Sequence, residues 1–273
     1  MLKLKKTTIL WAVFLFFAAQ SFAAEIIIDT FASPTSQATY SSSSKTQVQW
    51  TDSSSSGDIL GGVRDGSVGC ELSTDNNQSQ ARVGDGTFAI TAQPKAGPST
   101  YLSYDGTEGW SQPADPENDR FNGTFASAID LTDGRLNDRF YFSFVYAFHG
   151  KDGDGTVTFN DFRITLLEYD NGENNTYSYN VGYQGDGSAN TWMTENYTDL
   201  NDGESATFAM DFSSFGDASL DDVLALQIHI CSADLGSDYT LNSISAAVPE
   251  PTSIAMISVT GAIALIIRRR FCS

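Results

Sequence analysis

The feature that most constrains the fold is an alternation of aromatic side chains between residues 140 and 148. Phe140, Phe142, Phe144, Tyr146 and Phe148 alternate with single Tyr, Ser, Val and Ala residues. Successive side chains of a β-strand point to opposite faces, so a period of two predicts a strand with one buried face. A helix would need an apolar period near 3.6, which this segment lacks.

The same pattern recurs along the chain and predicts an all-β fold. Asp-Gly pairs, which favour turns, stand between several of the predicted strands. Many short strands with long polar connections indicate one β-sandwich domain over residues 24–247, in which the Ser-rich stretches 33–44 and 51–57 are expected to be loops or arms. Further strands are predicted at residues 46–51, 87–92, 100–104, 125–131, 162–166, 177–183, 206–212 and 223–230.

The segment after the aromatic strand is open to two interpretations. Lys151, followed by the Asp and Gly residues 152–155, predicts a hairpin between the aromatic strand and the strand at 162–166. Asp152, Asp154 and the downstream Asp161 also resemble the latter part of an EF-hand or dockerin calcium loop. Gly150 stands where the first ligand of such a loop should be, and a strand replaces the preceding helix. A calcium site and a simple turn both remain open.

The charge balance excludes one class of partner. The chain has 34 acidic and 15 basic residues, a net charge of −19. Six bases and one acid lie in the terminal segments, which leaves 9 bases and 33 acids between residues 24 and 248, a net −24. A body with that charge repels phosphate backbones, so we expect no nucleic-acid partner.

The first 23 residues have the three parts of a secretory signal peptide. Lys3, Lys5 and Lys6 precede an apolar run at residues 9–19, and Ser21-Phe22-Ala23 supplies small residues at the −3 and −1 positions. The run is too short to span a bilayer as a helix. We therefore expect cleavage after Ala23, with an uncleaved anchor as the alternative.

Residues 248–273 form a second export element. Pro249-Glu250-Pro251 is followed by an apolar run at residues 254–267, predicted to be a transmembrane helix, and then by Arg268, Arg269 and Arg270. The arginines would hold the end of the run on the cytoplasmic side of the membrane. Fourteen helical residues reach only about 21 Å against a core of roughly 30 Å, which suits a transient anchor.

This order of elements resembles the PEP-CTERM sorting signal of Gram-negative bacteria. The resemblance implies that an exosortase in the inner membrane recognises Pro249-Glu250-Pro251 and processes the protein for the cell surface or the extracellular matrix. The alternative is an ordinary single-span anchor. Two further motifs, residues 59–65 and 102–106, resemble a pattern found in other secreted PEP-CTERM proteins. That second resemblance implies a body of the jelly-roll, galactose-binding-like or carbohydrate-binding kind.

Two aromatic side chains are the best candidates for ligand binding. Trp110 and Trp192 lie in loop sequences rich in Gly, Asn and Asp, where an indole could stack on a sugar ring, although most aromatics of a sandwich fill its core. Other stacking candidates are Trp50, Tyr101, Tyr104, Tyr183 and Tyr197. His229 stands opposite the apolar face of its predicted strand, so we expect it to face solvent.

No catalytic signature stands above the acidic composition. The chain has no Gly-x-Ser-x-Gly elbow. Acids such as Glu168, Asp170 and Glu173 could form a glycosidase pair, as could many others. The sequence therefore favours a non-enzymatic exported surface protein that binds polysaccharide or calcium, with no other cofactor expected. The alternative is a secreted carbohydrate-active enzyme, a glycoside hydrolase or lyase.

Cys70 and Cys231 are the two cysteines of the predicted domain. Outside the cytoplasm such a pair could form a disulfide. Two buried free thiols are the alternative, and the sequence leaves both open.

Overall fold

The computed structural model describes most of the region predicted to be the folded domain, and the predicted export elements at the two termini lie outside the described residues. The described residues are 24–34, 37–43, 47–73, 78–94, 96–109, 123–134, 136–148, 159–170, 173–182, 205–216, 218–232, 236 and 238–247.

Within these residues the chain forms β-strands, two short 3-10 turns (Leu60–Gly62 and Phe212–Phe215) and no α-helix. The strands are β1 (Ile26–Asp29), β2 (Ala38–Ser43), β3 (Val48–Ser53), β4 (Val63–Ser73), β5 (Gln78–Gly84), β6 (Thr87–Ala92), β7 (Ala96–Tyr104), β8 (Arg139–Phe148), β9 (Phe159–Asp170), β10 (Glu173–Gly182), β11 (Ala206–Asp211), β12 (Val223–Ser232) and β13 (Asp238–Ala247).

The strands form two antiparallel sheets. The seven-stranded sheet has the order β11-β8-β13-β6-β5-β2, and β1 pairs with the second half of β13. The six-stranded sheet has the order β10-β9-β12-β7-β4-β3. Most neighbours are distant in sequence, as expected when the chain crosses repeatedly from one sheet to the other. The predicted all-β sandwich of the jelly-roll kind is confirmed.

The aromatic strand behaves as its pattern predicts. Phe140, Phe142 and Phe144 of β8 are at most 1% exposed and lie in the core, whereas Val145 is 39% exposed. The core continues between the two sheets through the apolar residues of β6, β7, β12 and β13. At one edge of the sandwich the rings of Tyr40 on β2 and Trp50 on β3 stack at 4.5 Å, which joins the sheets there.

Three sequence predictions about local structure are wrong. The aromatic strand β8 pairs with β11 and β13, and β9 belongs to the other sheet, so the two do not form a hairpin. Residues 125–131 form a single bridge, Ile129 with Val223, rather than a strand. Ser-rich residues 38–43 form the edge strand β2 rather than a loop. In each case the local structure depends on contacts between residues that are far apart in the sequence.

A buried ion cluster connects the two sheets. Arg64 on β4 donates to both carboxylate oxygens of Asp29 on β1, at 2.8 and 2.6 Å, and to Asp52 on β3 at 2.9 Å. The hydroxyl of Tyr104 donates to Asp29 at 2.9 Å. Arg64 and Asp29 are fully buried, and Asp52 is nearly so. The cluster also brings together the two motifs at residues 59–65 and 102–106.

Candidate functional site

Alternation along β12 separates a core face from an outer face of the six-stranded sheet. Leu226, Ile228 and Ile230 belong to the hydrophobic core between the sheets. Gln227 and His229 stand between them in sequence, and therefore point away from the core. Strand register extends this division across the sheet, because residues that pair directly on antiparallel strands share a face.

The outer face carries a connected set of polar side chains, which we call the polar face. It is defined by Ser67, Ser99, Tyr101, Ser103, Arg163, Thr165, Gln227 and His229. Arg163 is partly buried and the other seven are at most 6% exposed. Outer residues of the seven-stranded sheet such as Arg82 and Thr207 are exposed, so burial of polar groups distinguishes this face.

One row of the polar face runs across the strands. Register pairs Arg163 on β9 with His229 on β12, His229 with Tyr101 on β7, and Tyr101 with Ser67 on β4. The His229 and Tyr101 rings stack with centroids 4.0 Å apart and planes 8° apart. Nε2 of His229 lies 3.0 Å from Oγ of Ser99, so a hydrogen bond holds the imidazole in place. Across the strands from β9 to β4, the row therefore presents a guanidinium, an imidazole, a phenol and a hydroxyl in that order.

A second row lies beside the first. Register pairs Thr165 with Gln227, Gln227 with Ser103, and Ser103 with Asp65 on β4. Towards the edge strand β3 the burial ends, since Gln49 and Thr51 are exposed. The polar face is thus buried at its centre and meets solvent at this edge.

Two hydroxyls of the polar face have unused hydrogen-bonding capacity. The Oγ atoms of Ser67 and Ser103 are buried and have no hydrogen-bond partner within the described part of the chain. Leaving a buried polar group unpartnered costs about 1–3 kcal/mol. Such groups in a native structure call for an explanation, and a bound ligand is one.

Asp65 forms an acidic end of the polar face. Burial raises the pKa of its carboxyl, and the nearby charges of Asp105 and Glu108 raise it further, against a hydrogen bond from Thr51. The Gly109 backbone N–H also donates to Asp65, at 3.3 Å. Asp105 accepts from the backbone N–H groups of two residues in the flanking loops. Both carboxylates hold loop backbone at the end of β7.

The structure places the other acids considered for catalysis or calcium binding as follows. Glu168 is buried and accepts a hydrogen bond from the Ser219 backbone N–H. Asp161 lies on β9, where its backbone pairs with Cys231, and Asp152 and Asp154 lie outside the described residues. In the described ranges no group of three or more His, Cys, Asp or Glu residues is placed to bind a metal ion. The calcium site remains a prediction.

The aromatic candidates divide between core and outer face. Trp50 and Tyr104 lie in the core, so neither can stack on a sugar. Tyr101 lies on the polar face, whereas Trp110 and Trp192 lie outside the described residues. His229 points away from the core, as its position in the pattern indicated, but it is 3% exposed and so does not face solvent as predicted.

Cys70 and Cys231 are both buried, and neither forms a disulfide in the described structure. Cys70 on β4 pairs with Pro98, and Cys231 on β12 pairs with Ser99, the next residue of the intervening strand β7. Adjacent residues of a strand point to opposite faces, so the two side chains lie on opposite sides of the sheet. Their strands are also two spacings apart, about 10 Å, beyond the ~7 Å span of a disulfide. Two buried thiols were the alternative to a bridge.

The sorting residues Pro249, Glu250, Pro251, Arg268, Arg269 and Arg270 lie outside the described residues, as does the predicted signal peptide. No helix in the described ranges is long and apolar enough to cross a membrane.

Sequence reasoning missed most of the polar face. Ser67, Ser99, Arg163 and Gln227 belong to unremarkable stretches of sequence. One signal was present, since Gln227 and His229 interrupt the apolar residues of β12 with a period of two. The rest required the register of four strands.

No family model matches the chain, and no curated protein sequence does. Among solved structures it is similar to a family 11 carbohydrate-binding module of the cellulosomal cellulase Lic26A-Cel5E of Clostridium thermocellum, at 10% identity and a TM-score of 0.35 over 85% of this chain and 99% of that one. It is also similar to a family 30 carbohydrate-binding module, at 10% identity and a TM-score of 0.33 over 81% and 92%. A Stig cyclase, Fisc, from Fischerella sp. TAU is similar at 10% identity and a TM-score of 0.30 over 83% and 98%. These are likenesses of fold, at identities too low to transfer an activity.

Proposed function

We propose that this chain is an exported cell-surface or extracellular protein whose β-sandwich binds polysaccharide, without catalysis, at the polar face. The observation that carries the proposal is the alignment of hydrogen-bonding side chains across the six-stranded sheet. The four strands that carry these side chains, β9, β12, β7 and β4, span about 14 Å, long enough for a short run of sugar rings. Hydroxyl, amide, imidazole and guanidinium groups supply the mixture of donors and acceptors that sugar hydroxyls require.

The hydroxyls of Ser67 and Ser103, which have no hydrogen-bond partner among the described residues, support a binding role. A side chain kept only for packing at a buried position is usually apolar, because burial of a polar group without a partner is unfavourable. A sugar hydroxyl bound at these positions would provide the missing hydrogen bonds. The stacked rings of His229 and Tyr101 lie in the adjacent row and would fix the position of the ligand.

The proposal also requires a route by which the polysaccharide reaches the polar face. The centre of the polar face is nearly closed to solvent, so a ligand must enter from the exposed β3 edge or open the face. Binding that needs a conformational change is slower than the 10⁵–10⁷ M⁻¹s⁻¹ that is typical of association without one. We therefore expect slow association.

The test compares matched Ser-to-Ala variants of the exported protein in affinity electrophoresis through gels that contain neutral or acidic polysaccharides. The double variant Ser67→Ala/Ser103→Ala removes two hydroxyls that have no partner within the described residues. We expect it to lose at least tenfold in affinity and to keep or gain stability, because each change removes an unsatisfied polar group. Ser79→Ala is the control, since the hydroxyl of Ser79 is also buried and unpartnered in the described structure but belongs to the seven-stranded sheet.

Two outcomes would overturn the assignment. One is that no polysaccharide retards the wild type. The other is retardation that the double variant and the Ser79→Ala control share equally, which would place the binding site elsewhere.

A carbohydrate-active enzyme is the second candidate, favoured by one observation. Asp65 and Asp105 lie near each other at the end of the polar face, and burial raises the pKa of Asp65. A pair of carboxylates with one raised pKa is the arrangement that a glycosidase uses. Both carboxylates, however, accept hydrogen bonds from loop backbone, which favours a structural role. Release of reducing ends from a bound polysaccharide, abolished by Asp65→Asn, would establish the enzyme.

Export is proposed from the terminal sequences. The signal peptide directs secretion, and Pro249-Glu250-Pro251 with its apolar run and arginines directs exosortase processing at the inner membrane. In a host with an exosortase, replacement of these three residues by Ala should leave full-length protein in the inner membrane. Processing and export of that variant at the wild-type level would show that residues 248–273 are only an anchor.

A further inference from the structure

The first described residue of the domain is held by a distant turn. The backbone N–H of Ala24 donates to Oδ2 of Asp133 at 2.9 Å, and Nδ2 of Asn137 donates to the Ala24 carbonyl oxygen at 3.2 Å. Both backbone groups of Ala24 are therefore bound by one short segment, residues 130–137, more than 100 positions away.

The turn has a defined geometry. Asp133 has a φ of 46° and Gly134 a φ of 68°, the left-handed region that Asp and Gly tolerate. Asp130 accepts from the backbone N–H groups of Thr132 and Gly134 at 2.8 Å. Asn137 is 3% exposed, and its Nδ2 also donates to the Leu131 carbonyl at 3.2 Å. The two groups that contact Ala24 thus belong to a loop that contains its own hydrogen bonds.

The turn also contains an unused acceptor. Oδ1 of Asn137 is buried and has no hydrogen-bond partner among the described residues. The amide N–H of Ala24 is a single hydrogen-bond donor, and it donates to Asp133. The turn can therefore accept more hydrogen bonds than the described residues provide.

We propose that the turn at residues 130–137 is the binding site for the α-ammonium group that signal peptidase creates at Ala24. Hydrolysis adds water across the Ala23–Ala24 bond, so that Ala23 leaves with a carboxylate and the Ala24 nitrogen becomes an ammonium. One N–H donor becomes three, with a positive charge 2.9 Å from the Asp133 carboxylate. Cleavage then strengthens the contact that fixes β1 beside β13.

The surrounding charges favour the ammonium. Glu25 follows Ala24, and Asp130 and Asp133 belong to the turn. Asp138 and Arg139, which pair with each other, lie where β13 ends next to β1. The turn sequence also contains one base, Arg135. The four acids still outnumber the two bases, so their combined charge favours the protonated amine.

The test measures the pKa of the α-amino group by NMR, after selective ¹³C-methylation of the exported protein. N-terminal sequencing should begin at Ala24. Asp133→Asn should lower this pKa by about 0.5, since it removes the nearest opposite charge. Asp85→Asn is the matched control, because Asp85 is another turn residue with a positive φ, 54°, and should leave the pKa unchanged.

The wild type alone supplies a second measurement. The α-amino pKa should be higher in the folded protein than in urea, because Asp133 is in place only in the fold. An N-terminus other than Ala24, or an α-amino pKa that is equal in the folded and unfolded wild type, would overturn the proposal. An α-amino pKa in folded Asp133→Asn that equals the wild-type value would also overturn it. None of these results depends on polysaccharide binding.

Discussion

The guanidinium of Arg64 and the carboxylate of Asp29 join the two sheets of the sandwich through a fully buried ion pair. Burial lowers the pKa of Arg64, but the charge of Asp29 outweighs that effect and holds this pKa above its ordinary value. Burial raises the pKa of the Asp29 carboxyl, and the charge and hydrogen bonds of Arg64 oppose that rise. Each charge is thus tolerated in the core because the other is present.

Removal of Arg64 should be strongly destabilising. Arg64→Leu leaves Asp29 and Asp52 buried without their cation, a change that costs about 3–5 kcal/mol in comparable cases. Urea unfolding of the exported protein gives the free energy. The control is Arg139→Leu, which breaks partly exposed pairs with Asp138 and Asp211 and should cost about 0–1 kcal/mol. Equal losses in the two variants would contradict a special role for the buried pair.

The contribution of Asp58 to stability should depend on pH. Burial raises the pKa of this carboxyl, but hydrogen bonds from Ser54 and Ser56 outweigh it and lower the pKa from 3.8 to about 2. A depressed folded pKa stabilises the protein above pH 3.8, and this gain is lost as the pH falls towards 2. Wild type should therefore exceed Asp58→Asn at pH 7 by on the order of 1 kcal/mol, given solvent screening. A difference that stays constant from pH 7 to pH 2 would exclude this linkage.

Gly66 should not tolerate a side chain. A Cβ at this position would lie 2.1 Å from the Trp50 ring, which is confined by its stack on Tyr40. Gly66→Ala should cost about 1–3 kcal/mol in unfolding free energy through displacement of the indole, and Trp fluorescence should change with it. Gly69→Ala, three residues along β4, has the exposed side chain of Gln47 as its nearest neighbour, at 3.1 Å, and should cost less.

The two domain thiols should be free but protected. Cys70 and Cys231 are both buried, so iodoacetamide should alkylate neither at an appreciable rate in the native protein. Unfolding in urea without a reductant should make both reactive, as measured by intact mass and peptide mapping. A peptide pair linked through Cys70 and Cys231 would contradict the strand order.

The alternation of apolar residues predicted the positions of the strands well, but it predicted poorly which strands pair with each other. The alternation at residues 140–148 placed β8 almost to the residue, and residues 87–92 coincide with β6. The pattern could not show that β8 and β9 lie in different sheets, because a period of two reports only that one face is buried. Strand β2 escaped prediction because its Ser-rich sequence has only Ala38 and Tyr40 as apolar residues towards the core, and pairing with β5 stabilises it.

The sequence by itself determined that the chain is an all-β protein with alternating strands and an acidic body, and it predicts export signals at both ends. It did so because side-chain periodicity, net charge and terminal motifs are local properties of a sequence. Only the tertiary structure decided that Arg163, His229 and Tyr101 form one row and that Asp133 meets Ala24. Those contacts join residues 66 to 128 positions apart along the chain. Their energies depend on sheet register and burial, which exist only once the two sheets have packed.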